Sequence, residues 1–334
     1  MITKGRSDWL LISILCLVVS ILFVLSLVTG PAAISFFDSL NALFTGRDGA
    51  ASIVMQEIRL PRAILGFLIG ASLGLSGAAL QGFLRNPLAE PGLLGISASA
   101  SLGAVIAIYT GLSAVFILAL PLLAFAGAVI AVLLVRLLAG SGAATITLIL
   151  AGVAVTSFAG AMTALALNLS PNPFSALEIV FWMLGSLKDR SMTHVWLALP
   201  FILAGWVMLF QVGRALDALT LGEASAASLG YRLDRVQALV IFGTAASVGA
   251  ATSVAGAIGF VGLVVPHILR PFVGAHPSRL LLASALGGAA VLLAADVAVR
   301  VIAPERDLKL GVLTALIGAP FFLWLIFKQQ REVA

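Results

Sequence analysis

Apolar residues run through this chain in long blocks, interrupted by short clusters of charge, proline and glycine. A bilayer core about 30 Å thick takes roughly 20 apolar residues per helix. Reading the blocks against that length places spans near residues 9–28, 59–82, 93–110, 114–138 and 145–167, then 192–212, 236–255, 258–269, 279–298 and 310–327. The block at 258–269 is too short to cross alone. Such a segment belongs among neighbours, because irregular backbone at membrane depth must face protein or a water-filled cavity. The first block, Trp9 to Val28, follows Lys4 and Arg6 as a signal peptide would. It exceeds the roughly 7–15 apolar residues of such a signal, so a retained span is expected. In the second block Gly66, Gly70 and Gly74 recur at every fourth residue, a flat strip on one helix face where another backbone can approach.

Composition turns this pattern into a fold class. Of 334 residues 61% are hydrophobic and 10% charged, with mean hydropathy +1.16, whereas a soluble domain carries roughly 25% charged residues. The expectation is an all-α integral membrane protein of about ten transmembrane helices, one domain over residues 1–334. Cys16 is the single cysteine, which excludes a disulfide and a cysteine-based metal site.

Charge then orients the chain. With a cytoplasmic N-terminus, the inner loops collect Lys4, Arg6, Arg85, Arg136, Arg214, Arg232, Arg235, Arg270, Arg279, Lys328 and Arg331. That bias follows the positive-inside rule and puts both termini in the cytoplasm. Arg47, Arg59, Arg62, Lys188, Arg190, Arg300, Arg306 and Lys309 fall on the outer side as an outward-facing basic rim. Such a rim either reaches lipid headgroups or docks an acidic partner.

Ion-coupled carriers need ionisable groups at membrane depth, yet 92–135, 137–177 and 236–269 contain no Asp, Glu, Lys or Arg. Asp296 is the one carboxylate inside a span interior. The chain has no phosphate-cradling Gly-x-x-x-x-Gly-Lys-Ser/Thr loop and no nucleophile-and-base constellation. It is therefore not itself an ATPase, and energy from ATP has to arrive through a separate subunit. The longest cytoplasmic loop, about 211–235, offers the contact. Its centre, Leu221, Gly222, Glu223, Ala224, Ser225, Ala226, Ala227, Ser228, Leu229 and Gly230, is Ala-rich with glycine near both ends, the composition of a short coupling helix. His194, His267 and His276 are dispersed and make no metal site.

Three segments in order carry a resemblance: RLPRAILGFLIGASLGLSGAALQGFLRNPLAEPGLLGIS from Arg59 to Ser97, GFVGLVVPHILR from Gly259 to Arg270, and LGVLTALIGAPFFLWLIF from Leu310 to Phe327. Together the chain resembles the permeases of iron-chelate, haem and vitamin B12 importers, the ten-helix type II class of ABC importers. The resemblance implies a permease homodimer in the bacterial inner membrane, two cytoplasmic ABC ATPase subunits that bind ATP and Mg, and a periplasmic substrate-binding protein. It implies no cofactor or metal on this chain. Arg59, Arg62 and Arg300 match the family's binding-protein docking arginines. Asn86, Pro87 and Leu88, with Ala144, Thr145 and Ile146, match its cytoplasmic gates, and the fifth and tenth spans match the pathway lining. The segment Leu221 to Gly230 matches its ATPase-coupling helices. Where the family has Glu-Leu-Pro before the last span, this chain reads Asp307-Leu308-Lys309, a departure in the docking region. The resemblance leans to haem or a ferric siderophore as cargo, with cobalamin the alternative. A reading of another class is an ion-coupled secondary transporter.

Overall fold

The computed structural model describes residues 2–30, 32, 34–44, 49–140, 144–170, 172–303 and 307–333, and among them the regular structure is helical with no strand. α1 (Ile2–Val28) leads to the short α2 (Phe36–Phe44) and then to the long α3 (Ala50–Phe83). The sequence opens the second span at Arg59, since proline at position 61 is a helix-start signal. The helix instead continues upstream, and the reason lies in its hydrogen bonds. Pro61 has no N–H to give to the preceding turn, and the stretch Val54–Arg59 widens into a π-helical turn just before it. Such turns absorb a local break in the ladder while the helix runs on.

Beyond α3, a single 3-10 turn (Pro91–Leu94) and Gly95, at φ 72°, redirect the chain into α4 (Ile96–Tyr109). α5 (Ala119–Ala139), α6 (Thr145–Asn168), α7 (Pro173–Met183) and α8 (Met192–Gln211) follow. The loop at 211–235 folds into α9 (Gly213–Leu219) and α10 (Glu223–Ser228). α11 (Leu233–Ala255), α12 (Val261–Leu269), α13 (Pro277–Ile302) and α14 (Leu310–Val333) complete the bundle. Among the described residues eight helices are long and apolar enough to cross a membrane, and three apolar pieces are shorter, at Ile96–Tyr109, Pro173–Met183 and Val261–Val273. This bears out an all-helical membrane chain of about ten spans.

Two elements escape the apolar-block reading, α2 and α7. Both are too short to register against a bilayer-length window. α7 nevertheless carries a local start signal, because the Asn172 side chain accepts from the Ser175 N–H at 2.8 Å and Pro173 takes the first turn.

α3, α11 and α13 are mostly buried, whereas α1, α5, α6, α8 and α14 present most of their surface outward. Composition follows position: the inner helices are rich in Gly, Ala and Ser, and the outer ones in Leu, Ile, Val and Phe. Lipid is as apolar as leucine, so close van der Waals contact and hydrogen bonds hold such helices together. The glycine strip of α3 supplies that contact. A Cβ at Gly70 would strike the Gly288 carbonyl, and one at Gly74 the Ser284 carbonyl, so α3 and α13 touch backbone to backbone. Gly77 meets the Gly262 carbonyl of α12 in the same way. Polar ties cross the same core: Trp206 Nε1 of α8 donates to Ser72 Oγ at 2.9 Å, and Ser76 Oγ lies 3.2 Å from Ser247 Oγ of α11. Each is worth about 0.6 kcal/mol in a membrane setting.

Gly74→Ala is expected to separate α3 from α13 at a loss of about 1–3 kcal/mol, the usual range for overpacking. Gly160→Ala is the control, since Gly160 faces open space. Thermal unfolding in detergent should show a lowered midpoint for the first variant and an unchanged one for the second.

Candidate functional site

At one end of the bundle, charge gathers on two helices beside the end of α1. Asp296 and Arg300 stand one turn apart on α13, and Arg62 reaches them from α3. Arg62 places Nε at 2.9 Å and Nη2 at 2.8 Å from Asp296 Oδ1, while Arg300 Nη2 takes Oδ2 at 2.7 Å. Arg300 also donates to the Ser26 and Thr29 carbonyls at 2.8 and 2.7 Å and to Ser26 Oγ at 2.7 Å. Arg59 donates to the Leu27, Val28 and Ala32 carbonyls at 3.1, 2.9 and 2.6 Å. The last carbonyls of a helix have no partner within it. Here two guanidiniums supply those partners to α1, with the sign of charge that a helix C-terminus favours.

The sequence puts these arginines on an open rim, and the structure places them differently. Arg59 is 3% exposed, and the side chains of Arg300 and Arg62 are 7% and 15% exposed, with donors already bonded within the chain. Arg62 and Arg300 share the carboxylate of Asp296, and the Arg59 guanidinium is met by backbone carbonyls. Asp296 was legible as an unusual intramembrane acid, and its spacing of four from Arg300 is the helical ion-pair signal that discloses the cluster.

Nearby, Asp307 accepts from Lys309 Nζ at 2.6 Å and lies 3.8 Å from Lys188. That bond, with the fields of Lys309, Lys188 and Arg62, holds its carboxyl below the ordinary carboxylate value against a smaller opposing effect of burial. Lys309 also sits 5.2 Å over the Phe181 ring. The departure at 307–309 is thus a local network between α7 and α14. Arg47 and Arg306 lie outside the described residues.

At the opposite end, Asn86 builds a turn. Its side chain accepts from the Leu88 N–H at 2.9 Å and its carbonyl from the Ala89 N–H at 3.1 Å, the side-chain-to-backbone closure that asparagine makes before proline. Pro91, at the far side of the turn, packs its ring on Gly262 of α12. Arg85, just before the turn, pairs with Glu223 of α10 at 2.9 Å. Ala144 precedes the first turn of α6, Thr145 begins it, and Ile146 is exposed there. The 3-10 turn that follows packs its Leu93 carbonyl on Gly152 of α6. The segment Leu221 to Gly230 holds α10, with Gly222 and Gly230 at φ 102° and 89°, as glycine-bounded helical composition leads one to expect.

Between the two ends a cleft of about 610 Å³ is lined by Met183 and Leu184, by Ala257, Gly259 and Phe260, and by α14. Gly311, Ala315 and Ala319 give α14 a smooth, uncharged wall at four-residue spacing. Such a surface lets bulk past and offers it no polar hold.

The FecCD transport family model matches residues 17–328. The chain belongs to the FecCD transport family. It is 43% identical over 289 residues to a cobalamin import system permease protein of Halobacterium salinarum, covering 85% of this chain and 75% of that one. An iron chelatin transport system permease protein of Helicobacter pylori is 41% identical over 283 residues, covering 84% of each. Among solved structures, a metal-chelate type ABC transporter in an inward-facing conformation superposes with a TM-score of 0.84 at 30% identity, covering 95% of this chain and 98% of that one. This FecCD protein is accordingly a multi-span ABC importer permease, a transport subunit whose ATP is hydrolysed by a separate subunit.

Removing the shared counter-charge should disable the arginine cluster. Asp296→Asn leaves two buried guanidiniums short of an acid and is expected to lower stability by about 3–5 kcal/mol, the usual consequence of breaking a buried pair. Asp234→Asn, which breaks the exposed pair with Arg232, should leave the detergent unfolding midpoint unmoved.

Proposed function

We propose that this FecCD chain works as a homodimeric permease in the bacterial inner membrane, importing an iron complex, haem ahead of a ferric siderophore. Two ATPase subunits sit on the end bearing α10, which is cytoplasmic together with both termini, and they bind the ATP and Mg. A periplasmic binding protein delivers cargo to the arginine end. The observation that carries this reading is the exposure of Leu221 and Leu229, 70% and 62%, at either side of α10. Large apolar side chains grouped at a polar membrane surface mark a protein contact, and a glycine-bounded helix is a compact element for a partner to grip.

The cargo assignment draws on the smooth wall of α14 and on relatives named for iron chelatin. The cobalamin permease relative supports the second reading, in which the same machinery carries a cobalt complex. At the arginine end the cluster of Arg59, Arg62 and Arg300 attracts an acidic lobe of the binding protein. Arg62 is the most accessible of the three, so an incoming carboxylate meets it first. Arg59 and Arg300 lie behind it and hold the framework on which it stands.

In proteoliposomes containing the permease, its ATPase and its binding protein, labelled haem, ferric siderophore and cobalamin should separate the readings. ATP-dependent uptake of an iron complex is the expected result, and uptake of cobalamin alone selects the second reading. Solute movement by the permease alone on a pH or sodium gradient, without nucleotide, overturns both. Arg62→Gln should slow binding-protein association at low salt, with the difference shrinking toward 0.15 M, where the screening length is about 8 Å. An unchanged association rate at low salt removes the docking assignment.

A further inference from the structure

The ion pair between Arg85 and Glu223 joins two elements that the fold otherwise holds apart, the turn at Asn86 and the helix α10. Arg85 is an unusual residue for its place. The Leu84 N–H bonds to the Leu80 carbonyl and the Asn86 N–H to the Gln81 carbonyl, so Arg85 occupies the left-handed position of a helix C-terminal motif, at φ 49°. Glycine is the usual occupant there because it has no Cβ to clash. An arginine there holds a sparsely populated conformation. Its side chain reaches Glu223 Oε1 at 2.9 Å.

Each side of the pair is fastened in a way that lets a displacement pass through it. α9 is fixed to α13, since Asp217 Oδ1 accepts from the Ser278 N–H at 2.9 Å. α10 is freer. Gly222 and Gly230 flank it at positive φ with nothing packed where their side chains would be, and Ala226 is its buried contact. It can thus swing between two glycines while α9 stays in place. On the other side the turn at Asn86–Leu88 is bounded by the C-terminus of α3 and by the packing of Pro91 on Gly262 of α12. A pull at Arg85 reaches the turn between two fixed points.

We propose that Arg85 and Glu223 form the strut through which movement of α10 reaches the Asn86 turn, and that the pair sets how much cargo moves per ATP. This rests on the importer reading above. Both side chains are half exposed, 49% and 58%, and an exposed pair is weak enough to break and reform within a cycle. Arg85 and Glu223 are positioning residues, since neither faces the α14 cleft.

The test is the ratio of cargo imported to ATP hydrolysed in proteoliposomes carrying the complete importer. Arg85→Glu and Glu223→Arg should each lower that ratio by roughly two- to fivefold, the range an exposed ion pair sustains. The double variant with both changes should recover most of it, because the cycle isolates the pairwise contribution. Arg85→Gly guards against misfolding, since it relaxes the backbone while deleting the guanidinium; a lowered ratio in a well-assembled Arg85→Gly complex supports the strut. Wild-type ratios in the single variants, or no recovery in the swapped pair, overturn it. Wild-type complex without ATP-dependent uptake of any tested cargo would instead defeat the importer reading.

Discussion

The backbone contact between α3 and α13 governs the arrangement. At Gly70 and Gly74 the two helices come closer than any side chain allows, and this fixes their register as well as their distance. Arg62 stands on α3 and Asp296 on α13, so their ion pair forms because the glycines below have already set the helices in step. The same closeness aligns Arg300 with the end of α1 and brings Gly77 onto α12. In a solvent of hydrocarbon, where burial of apolar surface gives no drive for helices to associate, geometric fit of this kind is what selects one bundle from many.

Much of this was legible in the sequence, and the unequal legibility has physical causes. Long spans declare themselves because lipid demands an unbroken apolar run, as in α1, α5 and α6. Gly66, Gly70 and Gly74 announced a packing face because period four on a helix is unambiguous, and glycine-bounded α10 announced itself by composition. α7 and α2 did not, since a helix of about ten residues looks like loop to a bilayer-length window, although Asn172-Pro173 marked one start. Burial of the arginines was also hidden. A guanidinium at a span end reads as surface until its partners are known, and those of Arg59 are carbonyls of α1, about thirty residues upstream. Backbone acceptors carry no side-chain signature.

The two ends of the molecule use charge in opposite ways. Around Asp296 the ion pairs are buried and join α3 to α13, which makes them rigid and expensive to disturb. Around Glu223 the pair is solvated and joins a turn to a six-residue helix. One end holds its charges buried and the other exposes them, with an uncharged wall of Gly311, Ala315 and Ala319 between them.

The bonding of α1 bears on how the chain is assembled. α1 buries little of its surface, yet its terminal carbonyls at Ser26 and Thr29 wait for Arg300. Arg59 of α3 can hold the Leu27 and Val28 carbonyls as soon as those two helices meet, but the Arg300 bonds form only once α13 is in place. Full closure of the bundle at that end is therefore a late event, and a chain interrupted before α13 would leave α1 fastened to α3 but not to the rest.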